Sequence, residues 1–190
     1  MLAKELNPYY EEYTSKISPS DMAISLEMAI FLHIFCDVTK PKSIADLGSG
    51  FSSFVFRHYQ AITGVKPDVW TVDDDEEWLE KTRTFLVLHG LSDENLITWD
   101  LFLQRGPKSF DLILHDLGSM ETRAKTLPTV LTLSHSNGLV ILDDVDKSEY
   151  FSVLLQVTKH LDCELYNLKF YTLDNIGRHA GLLIIHNTFR

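Results

Sequence analysis

Ile44-Ala45-Asp46-Leu47-Gly48-Ser49-Gly50-Phe51-Ser52-Ser53 is the stretch on which the fold turns. A short apolar run ends on two glycines one residue apart, and a helical pattern over 52–62 begins at once. Glycines at such a junction let the backbone turn tightly and approach a neighbour without a Cβ clash, while the new helix offers free N–H groups. Any strand-to-helix turn has part of this character, so the rest of the chain has to decide what the turn is for.

Outward from it, apolar runs alternate with helical patterns. Ser43–Leu47, Asp68–Val72, Asn95–Trp99, Phe110–His115 and Gly138–Leu142 read as strands, with helices between them over 52–62, 76–89, 121–134 and 148–160. That alternation predicts right-handed βαβ crossovers and a parallel sheet covered on both faces. The last two runs, Glu164–Leu173 and His179–His186, are joined only by 174–178. So short a connection cannot be a crossover and predicts an antiparallel hairpin. The expectation is an α/β, doubly wound, seven-stranded sheet, mostly parallel, with its last strand reversed. Before it, Pro8–Lys16 is a short amphipathic segment, a lid or a packing strap. After the break at Ser18-Pro19-Ser20, a helix is expected over about 21–37, capped by Ser20 or Asp21, with Met22, Ile24, Leu26, Met28, Ile30, Phe31, Ile34 and Phe35 on its apolar face. We therefore read one domain over 1–190, a helical region (1–40) preceding the α/β core (41–190).

The chain has 190 residues, with 17 Lys and Arg against 27 Asp and Glu, a net charge of −10 and a pI near 5.1. Binding to phosphate backbones by counterion release needs clustered basic residues, and no cluster occurs. Bulk nucleic acid and anionic membranes are excluded as partners on this ground; a local RNA contact stays open. Cys36 and Cys163 form no Cys-x-x-Cys pair and suit a reducing compartment as small buried hydrophobes. The polar N-terminus is not a signal peptide, and Met22–Val38, carrying Glu27 and His33, falls short of a membrane span. A soluble, cytoplasmic protein is expected, monomer or homodimer, acting on a small molecule.

Ligands of open parallel sheets sit outside the carboxyl ends of the strands, and that rule selects the candidates. Gly48, Ser49 and Gly50 follow the first strand. Asp73 ends the second, where a carboxylate can accept both hydroxyls of a ribose, whereas Asp74–Glu77 load a helix N-terminus with favourable charge. Asp100 follows the third strand, within reach of an adenine amino group or simply solvated. His115-Asp116 and Asp143-Asp144 end the fourth and fifth strands. Three carboxylates with no basic partner in view repel one another, and a hard cation such as Mg²⁺ would relieve that. Against it, adjacent strand residues point to opposite faces, so Asp143 and Asp144 could diverge. His115 and His179 are candidate bases; His179 and Arg178 begin the reversed strand at the same edge, while His115 could instead face a helix layer. His33 and His135 read as structural.

These motifs resemble a class I S-adenosylmethionine-dependent methyltransferase: Ile44 to Gly50, then Val72-Asp73 followed by Leu79-Glu80-Lys81-Thr82-Arg83, match its glycine loop and acidic second-strand tip. The likeness runs from about Ser20 to Asn187 and implies a Rossmann-like core. It further implies that Asp46, Gly48, Ser49 and Gly50 form the cofactor loop, that Asp73 holds the ribose, and that Asp100 lies near adenine. Ser52 stands where a third glycine is common; as in the catechol O-methyltransferase-like branch, Ser52 or Ser53 would bind the methionine carboxylate. Asp111 to Asp116 and Leu142 to Val145 look like that branch's metal-binding segments, which implies Mg²⁺ on Asp116, Asp143 and Asp144. Asp144 replaces the usual Asn, as in a branch related to cephalosporin-modifying methyltransferases, and Ser119 replaces a lysine that often serves as base. The implied activity is methylation of a small-molecule hydroxyl activated by the metal, with Asp116, His115 and His179 as the catalytic candidates. Metal-independent methylation and a non-catalytic S-adenosylmethionine-binding domain are the alternatives. A nicotinamide dinucleotide enzyme fits less well, because Asp46 stands where that motif usually has an apolar residue and a long helical region precedes the loop.

Overall fold

The computed structural model describes residues 2–106 and 109–186; Asn187, the last residue of the resemblance, lies outside them. Seven strands form one sheet in the order β3-β2-β1-β4-β5-β7-β6, with β1 (Ser43–Leu47), β2 (Asp68–Asp73), β3 (Leu96–Thr98), β4 (Phe110–His115), β5 (Ser134–Leu142), β6 (Cys163–Asn167) and β7 (Gly181–Ile185). β7 runs antiparallel to both its neighbours and the other pairings are parallel, so the reversed last strand is as expected.

Alternation along the strands splits the core in two. Ile44, Leu112, Leu114, Ile141 and Leu182 pack against α1 (Leu2–Lys16), α2 (Leu26–Thr39), α3 (Phe51–Thr63) and α4 (Glu76–Leu88). Ala45, Leu47, Ile113, Val140, Leu142 and Leu183 pack against α5 (Trp99–Gln104), α6 (Met120–Thr132) and α7 (Ser148–Thr158). Tyr13 on α1 is buried against Phe51 and Phe85, at 5.5 and 5.1 Å between ring centroids. Full burial of a side chain of this size stabilises by about 1.5–3 kcal/mol, which fastens α1 to the sheet-covering helices.

Several boundaries depart from the sequence reading: α1 begins at Leu2, β3 ends at Thr98 where α5 begins, and β7 begins at Gly181, which leaves His179 outside it. Three further departures have a local reason. α2 begins at Leu26 because Ser25 is its N-cap, accepting the Met28 N–H at 3.0 Å. Residues 17–25 instead form a strap: Met22 and Ala23 donate back to the Pro19 carbonyl, Ala23 and Ile24 are buried, and Met22, expected on the apolar face, stands exposed. β5 begins at Ser134 because its pairing with β4 shifts register between Phe110 and Leu112. The run 164–173 is interrupted: β6 stops at Asn167 and a helical turn, α8 (Lys169–Thr172), buries Leu168 and Thr172 while leaving Phe170 outside. Among the described residues no helix is long and apolar enough to cross a membrane.

Candidate active site at the carboxyl ends of the strands

The glycine turn is built on close backbone contacts. Gly48 donates to the Val72 carbonyl at 2.8 Å and Asp116 donates to the Leu47 carbonyl at 2.7 Å, so the turn is pressed between β2 and the end of β4. Gly48 has φ +111°, and a Cβ there would lie 2.4 Å from the Asp116 carbonyl oxygen. Only glycine meets both conditions. At Gly50 a Cβ would come within 3.1 Å of the Tyr13 hydroxyl.

Two buried carboxylates hold this turn from below. Asp73 accepts the N–H of Ser49 at 2.6 Å and that of Asp75 at 3.0 Å; burial raises its pKa, opposed by these bonds. Asp46 faces α3, accepting from the Ser53 hydroxyl at 2.6 Å and the Thr71 hydroxyl at 3.1 Å. Burial pushes Asp46 up to about 6, against the pull of those hydroxyls and of Arg57. Asp46 and Ser53, expected to touch a cofactor, thus bond to each other beneath the turn; the parity of Asp46 with Ile44 on β1 turns its carboxylate toward α3, where Ser53 lies. Ser52 is buried, its hydroxyl 3.4 Å from the Gly48 carbonyl. Asp100 lies exposed in the first turn of α5.

At the other end, the carboxylates of Asp116, Asp143 and Asp144 offer oxygens within 4.8 Å of one another. Of the two readings of the pair, divergence to opposite faces does not occur. Asp144 has φ +55°, a left-handed turn that brings it back beside Asp143. The donor set suits a hard cation by chemistry, but a cation is already present. Arg123, on the first turn of α6, pairs with Asp116 through Nη2 and with Asp144 through Nη1, the latter at 2.9 Å. The expectation of three acids without a basic partner is corrected by this residue. Burial raises the Asp116 pKa well above the usual carboxylate range, opposed by Arg123, and burial with the Asp144 charge pushes Asp143 up to about 6.

His115, with the opposite parity, faces the α6–α7 layer. Its ring nitrogens lie 3.0 Å from the Tyr150 hydroxyl and 3.0 Å from the Thr126 hydroxyl, and burial, with Arg123 nearby, lowers its pKa to about 3. A fully buried ring with both nitrogens engaged is a structural partner, so this expected base is withdrawn. His179 sits beside the segment after β5: its carbonyl accepts from Val145, its N–H donates to Asp146, and Nδ1 is buried without a partner.

The strap closes the crevice above. Tyr13, Ser18, Met22, Ala23, Ile24 and Trp78 meet Gly48, Ser49, Gly50 and Asp116 around a cavity of about 20 Å³. Trp78 donates its indole N–H to the Ser49 carbonyl at 2.9 Å. Arg178, in the β6–β7 connection, clamps the strap by donating to the carbonyls of Ser20, Asp21 and Ala23 at 2.9, 2.8 and 3.1 Å, and its Nε pairs with Asp174 at 2.7 Å. Sequence reasoning missed Arg123 and Trp78. Arg123 had a usable signal: Ser119 caps α6, accepting the Thr122 N–H at 3.1 Å, which sets residue 123 one turn in, next to the end of β4.

No protein-family model matches the chain, and no curated protein matches it in sequence. Solved structures do. Cofactor-bound Rv0187 from MTB superposes with TM-score 0.71 at 16% identity, over 97% of this chain and 90% of that one. An O-methyltransferase from Bacillus cereus in complex with SAH gives 0.69 at 15%, over 95% and 90%. The SAH-bound Podospora anserina methyltransferase PaMTH1 gives 0.74 at 14%, over 96% and 88%. The chain has the seven-stranded, Rossmann-like α/β fold that these proteins share.

Proposed function

We propose that this chain binds S-adenosylmethionine over the glycine turn and transfers its methyl group to a hydroxyl oxygen of a small molecule. The observation that carries the reading is where buried polar atoms lack partners. Of nine such side-chain atoms among the described residues, four lie around the crevice, Ser49 Oγ, Arg123 Nε, Asp144 Oδ1 and His179 Nδ1, and a fifth, Asp46 Oδ1, lies beneath the turn. Buried polar groups are almost always hydrogen-bonded, so this concentration fits a place for a polar ligand. The fold shared with SAH-bound methyltransferases supports the choice of ligand.

When bound, S-adenosylmethionine supplies an electrophilic methyl on a sulfonium sulfur. Gly48, Ser49 and Gly50 pass beneath its methionine part. Asp73 spends two of roughly four lone-pair sites on Ser49 and Asp75, leaving the others for ribose hydroxyls. Asp100, exposed in the first turn of α5, is the candidate for the adenine amino group. Asp116, which meets the glycine turn at the crevice, is the first candidate to take the acceptor's proton, with His179 Nδ1 as the second. The remaining contribution is orientation of the acceptor oxygen behind the methyl group.

About 20 Å³ holds one water, whereas small-ligand pockets span roughly 300–1,000 Å³. Binding therefore requires the strap over 17–25 to lift. Calorimetric titration of the full chain with S-adenosylhomocysteine tests the reading: one-to-one binding that Asp73→Ala abolishes is expected, and absence of any heat of binding sinks it. The filled crevice favours one other reading, a non-catalytic domain. Binding without methyl transfer to any hydroxyl acceptor would select it.

A further inference from the structure

The three-carboxylate cluster is the chemistry in which a divalent cation is expected, and its centre is held by a side chain. Arg123 is almost fully buried, and its two Nη atoms reach Asp116 on one side and Asp144 on the other. α6 delivers it there rigidly: Ser119 caps the helix, and the Arg123 N–H donates to the Ser119 carbonyl at 2.8 Å. A Mg²⁺ ion sits about 2.0–2.1 Å from each carboxylate oxygen it binds, so an ion shared by Asp116 and Asp144 would need the space the guanidinium fills. It would also face a fixed positive charge that no accessible pH removes.

We infer that Arg123 is this protein's built-in substitute for a divalent metal, so that Asp116, Asp143 and Asp144 bind no Mg²⁺ or Mn²⁺ while the guanidinium is in place. The charge that a metal would bring arrives with the folded chain, is planar, and donates hydrogen bonds to two carboxylates at once. Chelators therefore leave the cluster untouched. Nothing here depends on the methyl-transfer reading, since the test contains no cofactor.

The test is electron paramagnetic resonance of Mn²⁺ titrated into the full chain. The wild type should leave the free Mn²⁺ signal undiminished, and its melting temperature should be the same in EDTA as in Mg²⁺. Arg123→Ala should deplete the signal one-to-one, and adding Asp116→Asn should restore it. Stoichiometric Mn²⁺ uptake by the wild type that Asp116→Asn abolishes overturns the inference, as does a folded Arg123→Ala chain that ignores Mn²⁺. If the variants do not fold, the wild-type titration and the EDTA melt still decide.

Discussion

Two arginines close the two ends of one crevice, and they do it with opposite partners. Arg123 sits among carboxylates at the β4–β5 end, almost fully buried, in contact with Asp116 and Asp144. Arg178 holds the cover of the β1–β2 end through three backbone carbonyls of the strap and the carboxylate of Asp174. A carboxylate stripped of its cation inside a protein has nowhere to go. A strap carbonyl released by its arginine can turn to water. The acidic end is thus held by a partly buried ion pair, and the glycine end by hydrogen bonds that water can replace.

The largest effect should come from breaking the ion pair at the acidic end. Arg123→Ala leaves the buried acids uncompensated, and removal of one partner of a buried ion pair costs about 3–5 kcal/mol. Urea unfolding at neutral pH should show that loss, and Asp144→Asn in the same chain should return part of it. Loss under about 1 kcal/mol would mean that the pair is solvated and the contrast between the two arginines is void.

Next comes pH, which compares a carboxylate held by hydroxyls with those held by a guanidinium. Asp46 is raised to about 6 in the folded chain, above the ordinary value of 3.8. The folded state then binds the proton more tightly than the unfolded state, so the contribution is fully present below about pH 4 and is lost as pH rises through about 6. The lost stability is on the order of 2–3 kcal/mol. The difference in unfolding free energy between wild type and Asp46→Asn, measured from pH 4 to 7.5, should follow that slope. A flat difference would mean that Arg57 and the hydroxyls of Ser53 and Thr71 offset the burial.

A substitution at Gly48 sharpens the glycine end. Gly48→Ala combines a positive φ with a 2.4 Å approach to the Asp116 carbonyl, whereas Gly177, at φ +94°, has nothing within 4 Å of its would-be Cβ. Gly177→Ala should cost about 1 kcal/mol, the backbone strain alone. Gly48→Ala should cost about 2 kcal/mol or more and displace the turn. Equal melting temperatures for the two variants would show that the close contact relaxes freely.

How much of this was legible in the sequence follows from the range of each interaction. Strands β1 and β4 lie where the apolar runs put them, because buried strands need only a local pattern. The reversal of β7 was expected from a five-residue connection, and it occurs although the connection actually runs over 168–180 and contains α8. Asp73, Asp116, Asp143 and Asp144 reached one sheet edge because topology sends every strand tip there. What was not legible depends on parity and on distant partners. Asp46 turns away from the crevice by strand alternation, a rule weighed beforehand only for His115, which it also turns away, and for the pair Asp143-Asp144. There it gave the wrong answer, since the left-handed Asp144 breaks it. The strap lies across the glycine turn through contacts between residues 18–24 and Arg178, more than a hundred positions apart, with no periodicity to announce them.

The smallest expected effect bears most directly on access to the crevice. Arg178→Gln removes the clamp on Ser20, Asp21 and Ala23, whose carbonyls are then free to bond water, so global stability should fall by only about 1 kcal/mol. If the closed strap holds the crevice at about 20 Å³, the binding-competent state is a minor one and apparent affinity is reduced by its population. Loosening the strap by about 1 kcal/mol raises that population about fivefold. S-adenosylhomocysteine should therefore bind Arg178→Gln about fivefold more tightly than wild type, with the gain in the association rate, and trypsin should cut after Lys16 faster in the unliganded variant. Unchanged association with faster cleavage would mean that the strap moves but does not gate the glycine turn. Unchanged cleavage would mean that Tyr13 and Ile24, packed in the apolar core, hold the strap without the arginine.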